Sequence, residues 1–231
     1  MKLLIKIVFV IFLFVNLPFS KVYNENIVKS VPAIQFQKND IKKGKSIYIY
    51  NTHQKEEYQS QSVKEGSRYL MKLLEAKGYE VDYELEDFEL YKLKNNIDYS
   101  YSYTVSKKYL QNAIEKHGNY DLIIDYHRDS IPKNLSTLTL DSKSYAKLLF
   151  VVGKGSSQYK KVNASCHKLS NMLNEKIPGI SKGNMTKQSD YNQGTAPMMM
   201  LIEVGAHQNT YEEVKNTLNI LAMTIDEYLS L

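Results

Sequence analysis

Asp121-Leu-Ile-Ile-Asp-Tyr-His-Arg-Asp-Ser130 joins a short apolar run to a crowd of polar groups. Leu122, Ile123 and Ile124 are too few for an ordinary helix and rich in β-branched residues, so they read as a buried strand. Asp125, His127, Arg128 and Asp129 then crowd its end. In open α/β sheets ligands bind outside the carboxyl ends of the strands. A histidine placed there, beside carboxylates that orient it, is a candidate metal ligand. Two other stretches have the same form: Ser46-Ile-Tyr-Ile-Tyr-Asn-Thr-His-Gln-Lys-Glu-Glu57 and Met198-Met-Met-Leu-Ile-Glu-Val-Gly205. The three strand ends are expected to converge on one metal ion.

Working outward, strands and helices alternate. Ile47 and Ile49 between Tyr48 and Tyr50 predict a strand, and a helix follows over 62–77 with Val63, Tyr69, Leu70, Leu73 and Leu74 on its apolar face. Tyr79 to Tyr83 reads as a second strand, 87–102 as a tyrosine-rich surface loop, and 102–116 as a helix. After the central strand, 132–142 reads as an irregular loop or short hairpin, 147–152 as a strand and 157–177 as a helix. A polar segment over 179–197 leads to the last strand, 198–204. Thr210 and Glu213 have capping-box spacing before a final helix striped by Val214, Leu218, Leu221, Ile225 and Leu229. The expected fold is α/β: a three-layer sandwich with a central, mostly parallel sheet flanked by helices.

The 231 residues suffice for one full core. Residues 1–20 open with Lys2 and Lys6 and continue into an apolar run shorter than the roughly 20 residues of a membrane span. They read as a signal peptide or N-terminal membrane anchor, which makes the chain an exported protein, extracellular or on the outer face of the cytoplasmic membrane. Residues 21–45 read as a polar linker and 46–231 as the catalytic domain. Membrane contact is expected only through the N-terminal segment. The net charge of +5 falls to +3 once Lys2 and Lys6 are set aside, and no basic stripe is interleaved with aromatics, so nucleic acid is not an expected partner. Cys166 is alone, which excludes an intrachain disulfide and any cysteine-rich zinc cluster.

Amide hydrolysis near neutral pH needs a nucleophile better than water. A Zn²⁺ ion on three protein ligands lowers the pKa of water to about 7 and polarises a carbonyl. His53 and Glu56, three apart after the first strand, and His127 from the second strand end are the candidate metal ligands. Glu203 stands in an almost wholly apolar run, where a carboxylate is costly unless used or paired. It is the candidate catalytic base; the alternative is an edge position facing water. Arg128 is a candidate to hold a substrate carboxylate or a developing oxyanion, or else to pair with Asp125 or Asp129. His117 at a helix end, His167 among lysines and His207 in a loop read as bystanders.

Three motifs in order, Tyr50-Asn-Thr-His-Gln-Lys-Glu-Glu-Tyr58, Ile124-Asp-Tyr-His-Arg-Asp-Ser130, and Tyr191-Asn-Gln through Leu201-Ile-Glu-Val-Gly205, resemble the stage II sporulation protein P family. That family belongs to the wider group of zinc N-acetylmuramoyl-L-alanine amidases. The resemblance implies a Zn²⁺-dependent peptidoglycan hydrolase with His53, Glu56 and His127 on the metal and Glu203 as catalytic carboxylate. It also implies wall remodelling during sporulation engulfment, membrane anchoring, and action beside a stage II sporulation protein D-like partner. The family often has histidine where this chain has Asn51, and Glu57 beside Glu56 leaves two candidates for the acid ligand. A peptidoglycan endopeptidase, or a non-catalytic wall-binding scaffold of the same fold, are the alternative functions.

Overall fold

A computed structural model describes residues 44–231. The leader at 1–20 and all but the last two residues of the linker lie outside the described residues. Six strands form one sheet in the order β2-β1-β3-β8-β6-β7: β1 (Ser46–Tyr50), β2 (Glu80–Tyr83), β3 (Leu122–Asp129), β6 (Leu148–Gly153), β7 (Ser181–Lys187) and β8 (Met199–Ala206). All neighbours are parallel except β6 and β8. β4 (Thr137–Leu140) and β5 (Lys143–Ala146) make a separate antiparallel hairpin after α4 (Lys133–Ser136), which takes the hairpin option for 132–142.

Successive strand residues point to opposite faces, and the core divides accordingly. Ile47, Ile49, Leu122, Ile124, Tyr126, Met200, Ile202 and Val204 pack with α1 (Val63–Glu75), α5 (Tyr159–Lys176) and α6 (Tyr211–Ser230). Tyr48, Tyr50, Ile123 and Met199 pack with α2 (Phe88–Lys94) and α3 (Ser102–His117). Both faces are therefore covered, as a parallel sheet requires, and the tyrosines of β1 are as buried as its isoleucines. The three-layer sandwich is the fold of the chain.

The helices start where capping chemistry places them. Ser62 with Glu65, and Thr210 with Glu213, form complete capping boxes at α1 and α6. The α6 stripe of Val214, Leu218, Leu221, Ile225 and Leu229 is buried throughout. Cys166 is enclosed in α5, where burial pushes its thiol up to about 12; it is an inert core residue.

Three stretches differ from the sequence reading. Residues 87–102 are not a loop: Asp87 caps α2, Phe88 anchors it in the core, and Tyr99–Tyr101 forms a 3₁₀ turn into α3. α2 buries Phe88 and Lys92 but leaves Leu90 and Leu93 exposed, so its apolar residues do not mark its buried face, and the 3₁₀ turn is too short to show a period. Within the polar segment 179–197 lies β7, an edge strand held to β6 by backbone pairing rather than by an apolar run. β3 continues to Asp129, so its polar residues lie inside the strand and not after it.

Gly66 illustrates how tightly α1 sits on β3. A Cβ there would stand 2.5 Å from the hydroxyl of fully buried Tyr126. Glycine to alanine inside a helix ordinarily stabilises by up to about 1 kcal/mol. Here the clash should reverse the sign, and Gly66→Ala is expected to cost about 1–3 kcal/mol. Urea unfolding checks this; a variant more stable than the parent would show that the α1–β3 contact is looser than described.

Candidate active site

The loop after β1 is fastened by Asn51, Thr52 and Gln54, which flank the candidate ligand His53. Asn51 Nδ2 donates to the Tyr126 carbonyl at 2.7 Å, and its Oδ1 accepts from Ser67 Oγ. The bonds of this amide hold the end of β1, β3 and α1 together. Thr52 donates from its backbone N–H and its hydroxyl to the two oxygens of Asp125, at 2.9 and 2.7 Å. Gln54 donates to the Glu86 carbonyl and accepts from the Phe88 N–H. His53 and Glu56 are left facing a cavity of about 440 Å³, which Arg128, Asp129, Ser130, Lys187, Tyr99 and Glu203 also line.

β3 and β8 supply the floor. His127 and Glu203 are register partners in the parallel ladder. Each follows Ile123 or Met199 by four residues, so both side chains leave on the α2–α3 face. A bulge between His127 and Asp129 bends the strand. There the Arg128 N–H donates to Glu56 Oε2 at 3.2 Å. The same carboxylate oxygen lies 3.6 Å from His127 Nδ1. His127 Nε2 lies 2.8 Å from Asp125 Oδ1, close enough for an ion pair. The alignment is too poor for a hydrogen bond, so Nε2 has no hydrogen-bond partner. The rings of His53 and His127 meet edge to face with centroids 5.3 Å apart.

The electrostatics follow from this packing. Burial pulls the His127 imidazolium down, but Asp125, with Glu56 and Glu203, outweighs it and holds the ring well above the ordinary histidine value. Burial and neighbouring His127 lower His53. Burial pushes the Glu203 carboxyl up to about 7 against the pull of His127, with Glu56, Asp129 and Asp125 adding to the rise. His53 Nδ1, His127 Nε2 and Glu203 Oε2 are enclosed polar atoms without a hydrogen-bond partner. Such atoms are costly unless something else engages them.

The residues singled out in the sequence thus divide clearly. His53, Glu56, His127 and Glu203 come together at one site. Glu203 is not at an edge, since β8 lies between β3 and β6. Of the two adjacent acids, Glu56 lines the cavity and Glu57 is exposed. Arg128 also lines the cavity, but its guanidinium donates to the Glu57 and Asp129 carbonyls instead of pairing with a carboxylate. Asp125 faces His127, whereas Asp129 pairs with Lys182 at 2.9 Å. His117, stacked on Tyr120, and exposed His167 and His207 stay outside. Among the described residues no three or more His, Cys, Asp or Glu side chains are drawn together closely enough to form a metal cluster as they stand. The donor types and the enclosed, unpartnered atoms nevertheless suit a cation held by two imidazoles and one carboxylate with an open position. Tyr99, Tyr103 and Lys187 also belong here; in the sequence they sit among many tyrosines and lysines with no apolar strand leading to them.

Comparison with known proteins agrees with this architecture. A family profile for stage II sporulation protein P matches residues 19–226. Stage II sporulation protein P of Bacillus subtilis (strain 168) is 29% identical over 203 residues, covering 79% of this chain and 51% of that protein. The chain therefore spans about half the length of this curated relative. Among solved structures, the CwlD amidase from Clostridioides difficile, in complex with the GerS lipoprotein, superposes with a TM-score of 0.55 at 17% identity, over 81% of this chain and 99% of that one. That likeness is one of fold. On the match across most of its length, this chain belongs to the stage II sporulation protein P family.

Proposed function

We propose that this chain is a Zn²⁺-dependent peptidoglycan hydrolase that cuts the amide between N-acetylmuramic acid and L-alanine during the wall remodelling of sporulation. The observation that carries the reading is that His53, Glu56 and Glu203 line one cavity with His127 against them, edge to face with His53 and beside Glu203 in the sheet, while His53 Nδ1 and Glu203 Oε2 are enclosed and without a hydrogen-bond partner. Family membership and the printed name of the neighbouring fold, an amidase, support the choice of bond. Export, an N-terminal anchor or signal at 1–20, and a stage II sporulation protein D-like partner are parts of the same proposal.

His53, Glu56 and His127 are the residues that would hold zinc. When bound, zinc supplies Lewis-acid polarisation of the scissile carbonyl and acidifies water. The chain's own groups do the rest. Asp125 faces one ring nitrogen of His127, and Thr52 fixes both oxygens of Asp125. The Arg128 N–H steadies Glu56. Glu203, ionised, takes the proton of the attacking water and returns it to the departing amine. Without metal, burial holds this carboxyl high; a bound zinc would favour its ionised form, the one that accepts a proton.

Glu203→Gln should keep stoichiometric zinc and lose turnover of purified sacculi by at least about a hundredfold, within the range general acid–base catalysis supplies. Undiminished turnover would remove Glu203 from the mechanism. Mass spectrometry of wild-type products should show free stem peptides beginning with L-alanine; peptides cut internally would establish an endopeptidase instead, and no products a scaffold.

A stability measurement tests the burial of Glu203 separately. Without metal, burial pushes the folded carboxyl up to about 7 from an ordinary value of 4.5, so the test uses chelator-treated protein. Below 4.5 both states are protonated, so the group adds no penalty. As pH rises through 4.5 to 7 the unfolded chain ionises first, and stability is lost; the full loss is roughly 3 kcal/mol. Glu203→Gln lacks this titration. Its stability relative to wild type should therefore grow between pH 4.5 and 8; a difference independent of pH would show that Glu203 is solvated.

A further inference from the structure

We infer that Tyr99 is the positioning residue for His53, holding by ring stacking a ligand that no hydrogen bond holds. The inference rests on the reading of His53 as a zinc ligand. A ligating histidine is normally oriented through a hydrogen bond from its second ring nitrogen, and losing that support costs roughly 10–100-fold in metal affinity. His127 is flanked by carboxylates at both nitrogens, Asp125 at 2.8 Å and Glu56 at 3.6 Å, which hold it by charge. His53 has no such pairing among the described residues: its enclosed Nδ1 is unpartnered.

Aromatic rings surround it instead. Tyr99 stacks on the His53 ring with centroids 5.0 Å apart and planes 22° from parallel. Tyr103 meets the same ring edge-on at 5.5 Å. Tyr103 also lies nearly parallel to His127 at 6.5 Å and meets Tyr191 edge-on at 5.3 Å, so it belongs to the interior of the site. Tyr99 differs because it is 59% exposed and belongs to a short 3₁₀ turn. What fixes it is Lys92. That ammonium is almost wholly buried and is held by Glu89 and Ser102, both at 2.8 Å. It stands 4.8 Å from the centroid of the Tyr99 ring, within cation–π range. Lys92 and Ser102 thus anchor the turn, the turn places Tyr99, and Tyr99 limits the swing of His53.

The exposure of Tyr99 makes the test clean, because truncation there should not open the core. Zinc affinity of the intact chain is measured by competition with a chromophoric chelator, for wild type, Tyr99→Ala, Tyr99→Leu and Tyr99→Phe. His53→Ala is the control that locates the zinc. Tyr99→Ala and Tyr99→Leu should each weaken binding about tenfold or more, while Tyr99→Phe, which keeps the ring, should stay within about twofold of wild type. Melting temperatures of the zinc-free proteins should be unchanged. In zinc-free protein, the His53 ring-proton resonances should move in Tyr99→Ala and Tyr99→Leu as the ring current is removed. Wild-type affinity in Tyr99→Leu overturns the positioning role and leaves the hydrolase reading intact. Wild-type protein that takes up no zinc, or zinc retained in His53→Ala, overturns the assignment of His53 and this inference with it.

Discussion

The parallel pairing of β3 with β8 places His127 directly beside Glu203 in the middle of the sheet. A carboxyl and an imidazole at that depth lose most of their hydration, and each is costly without a partner. The surrounding structure answers that cost at one end only. Asp125 is spent on His127 and is itself satisfied twice by Thr52. Glu56 is spent on the backbone of the bulge. Glu203 has no hydrogen bond to its buried oxygen, and its raised pKa records the imbalance. The site is thus tied by hydrogen bonds at Asp125 and Glu56 and left unsatisfied at Glu203.

The two faces of β3 and β8 divide the labour. Leu122, Ile124 and Tyr126, with Met200, Ile202 and Val204, bury against α1, α5 and α6 and supply apolar stabilisation. The opposite face begins apolar at Ile123 and Met199 and becomes polar toward the strands' carboxyl ends, at Asp125, His127 and Glu203. Because side chains alternate with period two, neither function compromises the other. The β1 loop works the same way: Asn51, Thr52 and Gln54 bind the scaffold, and His53 and Glu56 face the cavity.

This division explains what could be read in the sequence. Short apolar runs closed by charged residues betray strand ends, and the helices declare themselves through Ser62, Thr210 and the α6 stripe, so the α/β sandwich and the meeting of His53, Glu56, His127 and Glu203 followed from local pattern and family resemblance. What escaped had no period to reveal it. α2 buries Phe88 and Lys92 while Leu90 and Leu93 stay exposed, and β7 is a polar edge strand. Lys187 ends β7 and Tyr99 opens the 3₁₀ turn before α3, so missing these elements meant missing the residues. The Arg128 guanidinium illustrates a different limit: its bonding to backbone carbonyls depends on the β3 bulge, a feature of pairing and not of composition.

The central claim is that residues distant in sequence share one cation. A crystal structure of zinc-loaded protein, with anomalous density recorded on both sides of the zinc edge, tests it most directly. The account predicts a single zinc with His53, Glu56 and His127 as its protein ligands and Glu203 beside the open position. Zinc bound elsewhere on the chain, or held without both of those histidines, would contradict it.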